Sequence, residues 1–150
     1  MANERFKFRA WDKLAEKMLY SDSGDDEAIW QIDWKNGIEV LTLQVVDTFP
    51  GGLYHEQETK YLPADVDVMQ STDFKDKNGN LIFEGDVVEC SDWFGTKITG
   101  KVLFDESGIW KAEAFGRYPD REYLFELIKR ESFKIIGNIY EHPHLLTPKP

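Results

Sequence analysis

Apolar and basic side chains alternate from Phe6 to Trp11, the period of two that a half-buried strand requires. Asp12-Lys13 opens a turn, and Lys17-Met18-Leu19-Tyr20 reads as the returning strand. Asp22 to Glu27 is an acidic, glycine-containing loop. Alternation resumes from Ala28 to Trp34, and Asn36-Gly37 follows, a dipeptide that tolerates the positive φ of a tight hairpin turn. Ile38 to Val46 is then the partner strand, and Phe49-Pro50-Gly51-Gly52 punctuates a loop. Between Leu53 and Leu62 the pattern leaves two readings open, because the polar run from His55 to Lys60 suits either an exposed strand or a loop. Pro63 ends this segment, and Asp65 and Asp67 fall in an expected connector.

A second set of strands begins at Val68-Met69-Gln70. Asp76-Lys77-Asn78-Gly79-Asn80 is a strong turn signal, and Glu84-Gly85-Asp86 is another, with Leu81-Ile82-Phe83 between them. Val87 to Cys90, Lys101 to Phe104 and Ile109 to Phe115 read as short strands, and this spacing suggests a small barrel. Over residues 121–129, Tyr123, Leu124, Leu127 and Ile128 recur with helical spacing and predict a short helix. Phe133 to Tyr140 reads as a closing strand, and Pro143, Pro148 and Pro150 mark a frayed tail. There is no internal repeat and no low-complexity tract.

Composition narrows the class. A chain of 150 residues with 5 Trp, 6 Tyr and 10 Phe can bury a core without disulfides or metal, and disorder over most of its length is not expected. The single cysteine, Cys90, cannot form an internal disulfide, which fits a reducing compartment. Met1-Ala2-Asn3-Glu4-Arg5 has no apolar h-region, so secretion is not expected, and no apolar run has the length of a membrane span. The formal net charge of −10 argues against general nucleic-acid binding, which relies on Lys and Arg displacing counterions, although a local basic patch is compatible with it.

Three segments together resemble one family. They are Phe8-Arg9-Ala10-Trp11-Asp12-Lys13 with Met18 and Tyr20 after it, the long run from Val68 to Val88 that contains Asp76-Lys77-Asn78-Gly79-Asn80 and Phe83-Glu84-Gly85-Asp86, and Ile136-Gly137-Asn138-Ile139-Tyr140-Glu141. Their order and spacing resemble the YopX-like proteins of bacteriophages and prophages. One departure is Asp73, where the family more often has Gly, and Asp tolerates positive φ less readily. The resemblance implies a mainly β fold with a small SH3-like barrel in the second half. With the residue pattern, this divides the chain into an N-terminal antiparallel β region over 1–66, an SH3-like barrel region over 67–142 with at most one or two short helices, and a flexible tail over 143–150. It also implies a phage or prophage gene expressed in a bacterial host cytoplasm. It implies no particular activity.

Candidate chemistry is sparse. Counted from Asp76, the positions where a calcium loop needs Gly and a bidentate Glu hold Leu81 and Val87, so the segment is a turn and not an EF-hand. His142 and His144 beside Glu141 offer too few metal ligands, with His55 the one remaining histidine. Cys90 lies in an apolar strand and reads as a small core residue. Asp25-Asp26-Glu27 and Asp65 with Asp67 read as exposed charge, whereas acid–base catalysis needs desolvation of at least one carboxyl. No nucleophile elbow, P-loop or dinucleotide fingerprint is present, so no catalytic residue, metal or cofactor is expected, and the protein is read as non-enzymatic.

The binding candidates are Trp93, Phe94, Lys97 and Lys101. An aromatic loop tip at Trp93-Phe94-Gly95 is a protein-contact anchor, and self-association through exposed edge strands is a further route. The same aromatics with Lys97, Lys101 and Lys111 form the alternative, a barrel that stacks and neutralises single-stranded nucleic acid. A second basic group is Lys129, Arg130 and Lys134. The expected partner is therefore an unidentified host or phage protein, with nucleic acid second, and a nucleic-acid-mimicking acidic surface third.

Overall fold

Asp12 makes the first reversal of the chain. Its Oδ1 accepts the backbone N–H groups of Leu14 and Ala15, each at 2.9 Å, and so closes the turn between β1 (Phe8–Asp12) and β2 (Lys17–Tyr20). The computed structural model describes residues 7–24, 28–33, 37–47, 57–92, 94–114 and 121–147. The expected turn residues Asp25 to Glu27, Asn36 and Phe49 to Gly52, and also His55, Trp93, Phe115, Pro148 and Pro150, lie outside the described residues. The described chain is mainly antiparallel β and falls into two units, Lys7–Val68 and the part from Met69 onward.

In the first unit, β3 (Ala28–Asp33), β4 (Gly37–Asp47) and β5 (Gln57–Pro63) form an antiparallel sheet in the order β3-β4-β5. The open reading of residues 53–62 thus resolves in favour of a strand from Gln57, with its side chains from Gln57 to Tyr61 exposed. Register fixes which face is buried. Trp30 lies opposite Val40, and that face packs with Ala10, Leu19, Val66 and Val68 in the unit's core. The opposite face carries Leu41, Leu43 and Val45 across from Pro63, Tyr61 and Thr59. On this face Leu43 is 51% exposed and Val45 63% exposed.

The connector expected around Asp65 and Asp67 is shorter than the sequence suggests. β6 (Val66–Lys75) already includes Asp67, and only Ala64 and Asp65 separate it from β5. The corner is held by backbone bonds, Ala64 N–H to the Val40 carbonyl at 2.9 Å and Lys13 N–H to the Asp65 carbonyl at 3.2 Å.

The second unit contains β7 (Leu81–Phe83), β8 (Asp86–Ser91), β9 (Lys97–Phe104), β10 (Trp110–Ala114), β11 (Arg121–Tyr123), α1 (Leu124–Leu127) and β12 (Lys134–Asn138). Five of these strands form one antiparallel sheet, ordered β11-β10-β9-β8-β12. The last strand returns beside the first, with the helix just before it, an order compatible with the expected SH3-like barrel. Ile82, Val88, Cys90, Val102, Ala112, Leu124, Leu127 and Phe133 fill the core.

Two expectations are corrected here. The helix predicted over 121–129 is a single turn, because Arg121–Tyr123 pairs with β10 in register Glu113↔Arg121 and Lys111↔Tyr123. Only Leu124 and Leu127 of the apolar set are buried from that turn, and Tyr123 is exposed on the sheet. The tail expected from Pro143 instead begins with a 3-10 helix, Pro143–Leu146. Pro143 presets its first φ, and the segment lies on β12, where a Cβ added to Gly137 would meet the His142 ring at 2.8 Å and Leu145 Cδ1 at 2.9 Å. Among the described residues no helix is long and apolar enough to cross a membrane.

Candidate interaction surface

The loop between β8 and β9 is built on one aspartate. Asp92 Oδ1 accepts the N–H groups of Phe94 and Thr96, each at 2.8 Å. Its backbone N–H donates to the Thr96 carbonyl at 2.8 Å, and its carbonyl accepts from Gly95 N–H at 3.1 Å. Gly95 takes a φ of +81°, which the tight return to β9 needs and which a side chain would strain. The result is a tied loop that holds Phe94 93% exposed. Of the other residues expected at this site, Trp93 lies outside the described residues. Lys97 begins β9 next to the loop, whereas Lys101 sits about 13 Å further along the strand on the same face. Lys101 is half-buried, with Glu113 and Val87 as its cross-strand neighbours.

Register places many charges on that face of the barrel sheet. Lys97, Lys101, Lys111, Arg121 and Lys134 share it with Glu89 and Glu113, a surplus of positive charge in a chain of net charge −10. Most of this charge is internally matched. Glu89 accepts from both Lys97 at 3.2 Å and Lys134 at 3.4 Å, Glu113 holds Arg121 at 3.0 Å, and Asp105 binds Lys111. Burial alone would push the Glu89 carboxyl up, but Lys97 and Lys134 outweigh it and hold it below the usual carboxylate range. Asp105 is lowered further, by Lys111 and the Ser107 hydroxyl. The second basic group is matched too: Lys129 pairs with Glu126 at 3.0 Å and Arg130 with Glu122 at 2.6 Å.

Other candidate residues have structural partners. Cys90 is buried, which pushes its thiol up, and Arg130 Nη1 lies 3.8 Å from its sulfur. Asp65 and Asp67 grip the Lys13 ammonium at 2.9 and 3.1 Å and raise its pKa, so they are not merely loose charge. His142 Nδ1 accepts the Asn138 N–H at 3.4 Å, and among the described residues no three of His, Cys, Asp and Glu converge as metal ligands. Asp76, in the turn between β6 and β7, is buried. Its Oδ1 accepts from the N–H groups of Asn78 and Asn80, and its Oδ2 from Ile135 N–H at 3.2 Å.

Two surface features escaped the sequence reading. Tyr123 and Phe125 stack with ring centroids 5.5 Å apart, with Lys111 Nζ 5.2 Å from the first ring and Lys129 Nζ 5.6 Å from the second. Helical periodicity hid this pair, because it assigned Tyr123 to a core stripe. In the first unit a cleft of about 630 Å³ opens between the turn after β1, β4 and the Pro63–Asp65 corner. Its walls include Leu14, Leu19, Leu43 and Pro63 together with charged Lys13 and Asp65, residues contributed by separate strands and turns that no sequence motif connects.

The family model described as YopX protein matches residues 7–147. The chain is also similar to a solved structure, the crystal structure of protein EF1440 from Enterococcus faecalis, with a TM-score of 0.58 and 27% identity over 95% of this chain and 98% of that one. No curated protein matches. The match covers all three segments that carried the resemblance, the barrel strands between them and the 3-10 helix after the last, and on that extent the chain belongs to the YopX protein family.

Proposed function

We propose that this protein is a phage- or prophage-encoded accessory protein that works in the bacterial host cytoplasm as a non-enzymatic protein-interaction module. The resemblance to the YopX-like proteins of bacteriophages and prophages supports the origin. The observation that carries the interaction reading is the tied loop from Asp92 to Thr96 with Phe94 93% exposed at its tip. An ordered loop loses little conformational freedom on binding, so burial of its aromatic tip is retained as affinity. A nucleic-acid module is the second reading, favoured by the basic surplus on the barrel face. It ranks lower because four of the five cations there already have carboxylate partners. Phosphates would have to displace those carboxylates.

The test compares tagged wild type with Phe94→Ser and Lys101→Glu in nuclease-treated host lysate, followed by mass spectrometry. A stoichiometric protein retained by wild type and Lys101→Glu but lost from Phe94→Ser is the expected outcome. Salt-sensitive binding of a labelled single-stranded oligonucleotide, lost in Lys101→Glu and retained in Phe94→Ser, would replace this reading with the second.

A further inference from the structure

We infer that β5 is a self-pairing edge through which two copies of this chain join their three-stranded sheets into one. Among the described residues β5 is the outer strand of the β3-β4-β5 sheet, and the side chains from Gln57 to Tyr61 are exposed. An outer strand offers a ladder of backbone groups to another chain. Its neighbour face is apolar, with Leu43 and Val45 exposed beside it.

The occupant follows from charge and symmetry. Two identical strands related by a two-fold axis normal to the sheet pair antiparallel. Residues directly opposite must point to the same face. Such an axis preserves faces, so only registers that set one residue opposite its own counterpart are allowed. Centring on Glu58 opposes two carboxylates, and centring on Lys60 opposes two ammonium groups. Centring on Thr59 sets Glu58 of each copy opposite Lys60 of the other, with the two threonines facing each other on the axis. Within one chain Glu58 and Lys60 already lie 2.8 Å apart on one face of the strand. The pairing therefore completes a square of alternating charge, with opposite-charge and Thr–Thr pairs of the kind that stabilise antiparallel ladders. A strand from an unrelated protein would need the same Glu-x-Lys order by chance, whereas a second copy supplies it by symmetry. The inference uses no residue of the Phe94 loop, so failure of the reading above leaves this one standing.

Sedimentation velocity on the full chain over micromolar to hundreds-of-micromolar concentrations tests it. Wild type is expected to form a dimer. Lys60→Glu, which sets carboxylate against carboxylate, is expected to shift it to monomer, and Glu58→Lys with Lys60→Glu together to restore the dimer by exchanging the two charges. Thr59→Cys is expected to give a disulfide-linked dimer on mild oxidation, since opposed residues in a ladder have Cα atoms about 4.5–5.5 Å apart. The buried Cys90 serves as the internal control in the parent chain. A monomeric wild type, or a dimer that the single charge reversal leaves intact, would overturn the inference.

Discussion

Asp73 holds a φ of +63°, a conformation that costs an ordinary L-residue about 1–2 kcal/mol and glycine nothing. It sits where the β6–β7 pairing shifts register between Ser71 and Lys75, and its N–H donates to Ser71 Oγ at 3.1 Å. An aspartate here keeps the register shift in place and adds strain to it. Asp73→Gly should raise the stability by about 0.5 kcal/mol, the relief being partly offset by glycine's larger unfolded-state freedom. Asp73→Val, β-branched, should lower it by about 2 kcal/mol. Urea midpoints measure both, and a neutral valine would show that the bulge relaxes. Three residues on, Asp76 is held low in pKa: burial pushes it up, but the N–H donors of Asn80, Ile135 and Asn78 together outweigh burial. The stability this contributes is present above the unfolded carboxyl value of 3.8 and is lost as pH falls through the lower folded value. Asp76→Ala should cost about 2 kcal/mol at neutral pH, since three part-buried backbone donors lose their acceptor. The same variant should lose less than wild type on going from pH 5 to pH 3. An equal acid slope in both would mean that other carboxylates govern the acid limb.

At the scale of elements, β12 and the 3-10 helix Pro143–Leu146 act as a pair through Gly137. The space a Cβ would need is occupied by the base of the His142 ring, which cannot swing away as a chain end can. Gly137→Ala should therefore destabilise by about 2 kcal/mol, and in a His142→Ala background by much less. An additive double variant would show that Leu145, not His142, is the obstruction. Pro143 alone suggested a frayed end. The packing that orders it depends on an absent side chain six residues earlier, and a missing Cβ has no periodicity to read. The strands were more legible, because alternation and turn residues are local. Lys17–Tyr20 has the bounds expected of it, and the strand Leu81–Phe83 fills the interval between two turns that the sequence marks. β11 was misread because Tyr123, Leu124 and Leu127 straddle a strand end and one helical turn, so their spacing mimics one longer helix. At the loop tip, Phe94 was legible as an aromatic between turn formers. Asp92, which ties the loop, was not singled out because its partners are backbone groups and leave no residue signature.

At the scale of the whole molecule, the two units have cores of unequal size. Among the described residues, the unit from Met69 onward buries a cluster running from Ile82 to Phe133, drawn from four strands, the helix and the approach to β12. Among the described residues the buried hydrophobics of the unit Lys7–Val68 are Ala10, Met18, Leu19 and Val40, with partly exposed residues around them, and the outer face of its β3-β4-β5 sheet is apolar and open to water. Buried apolar area sets how much free energy a local opening must supply, so the smaller core should open first. Native-state hydrogen exchange should therefore find amides of β3 and β4 exchanging through an opening of lower free energy than those of β8 and β9. Removing two methyls from each core separates the cases. Val40→Ala should lower the protection of β3–β5 by about 2 kcal/mol while leaving β8 and β9 nearly unchanged, because those strands would exchange through an opening of their own unit that leaves the first unit folded. Val102→Ala should lower protection in β8–β10 by a similar amount and leave the low-energy opening of β3 and β4 where it was. If Val40→Ala instead reduced protection equally in all strands, the chain would unfold as one cooperative body, and the difference in core size would have no energetic counterpart.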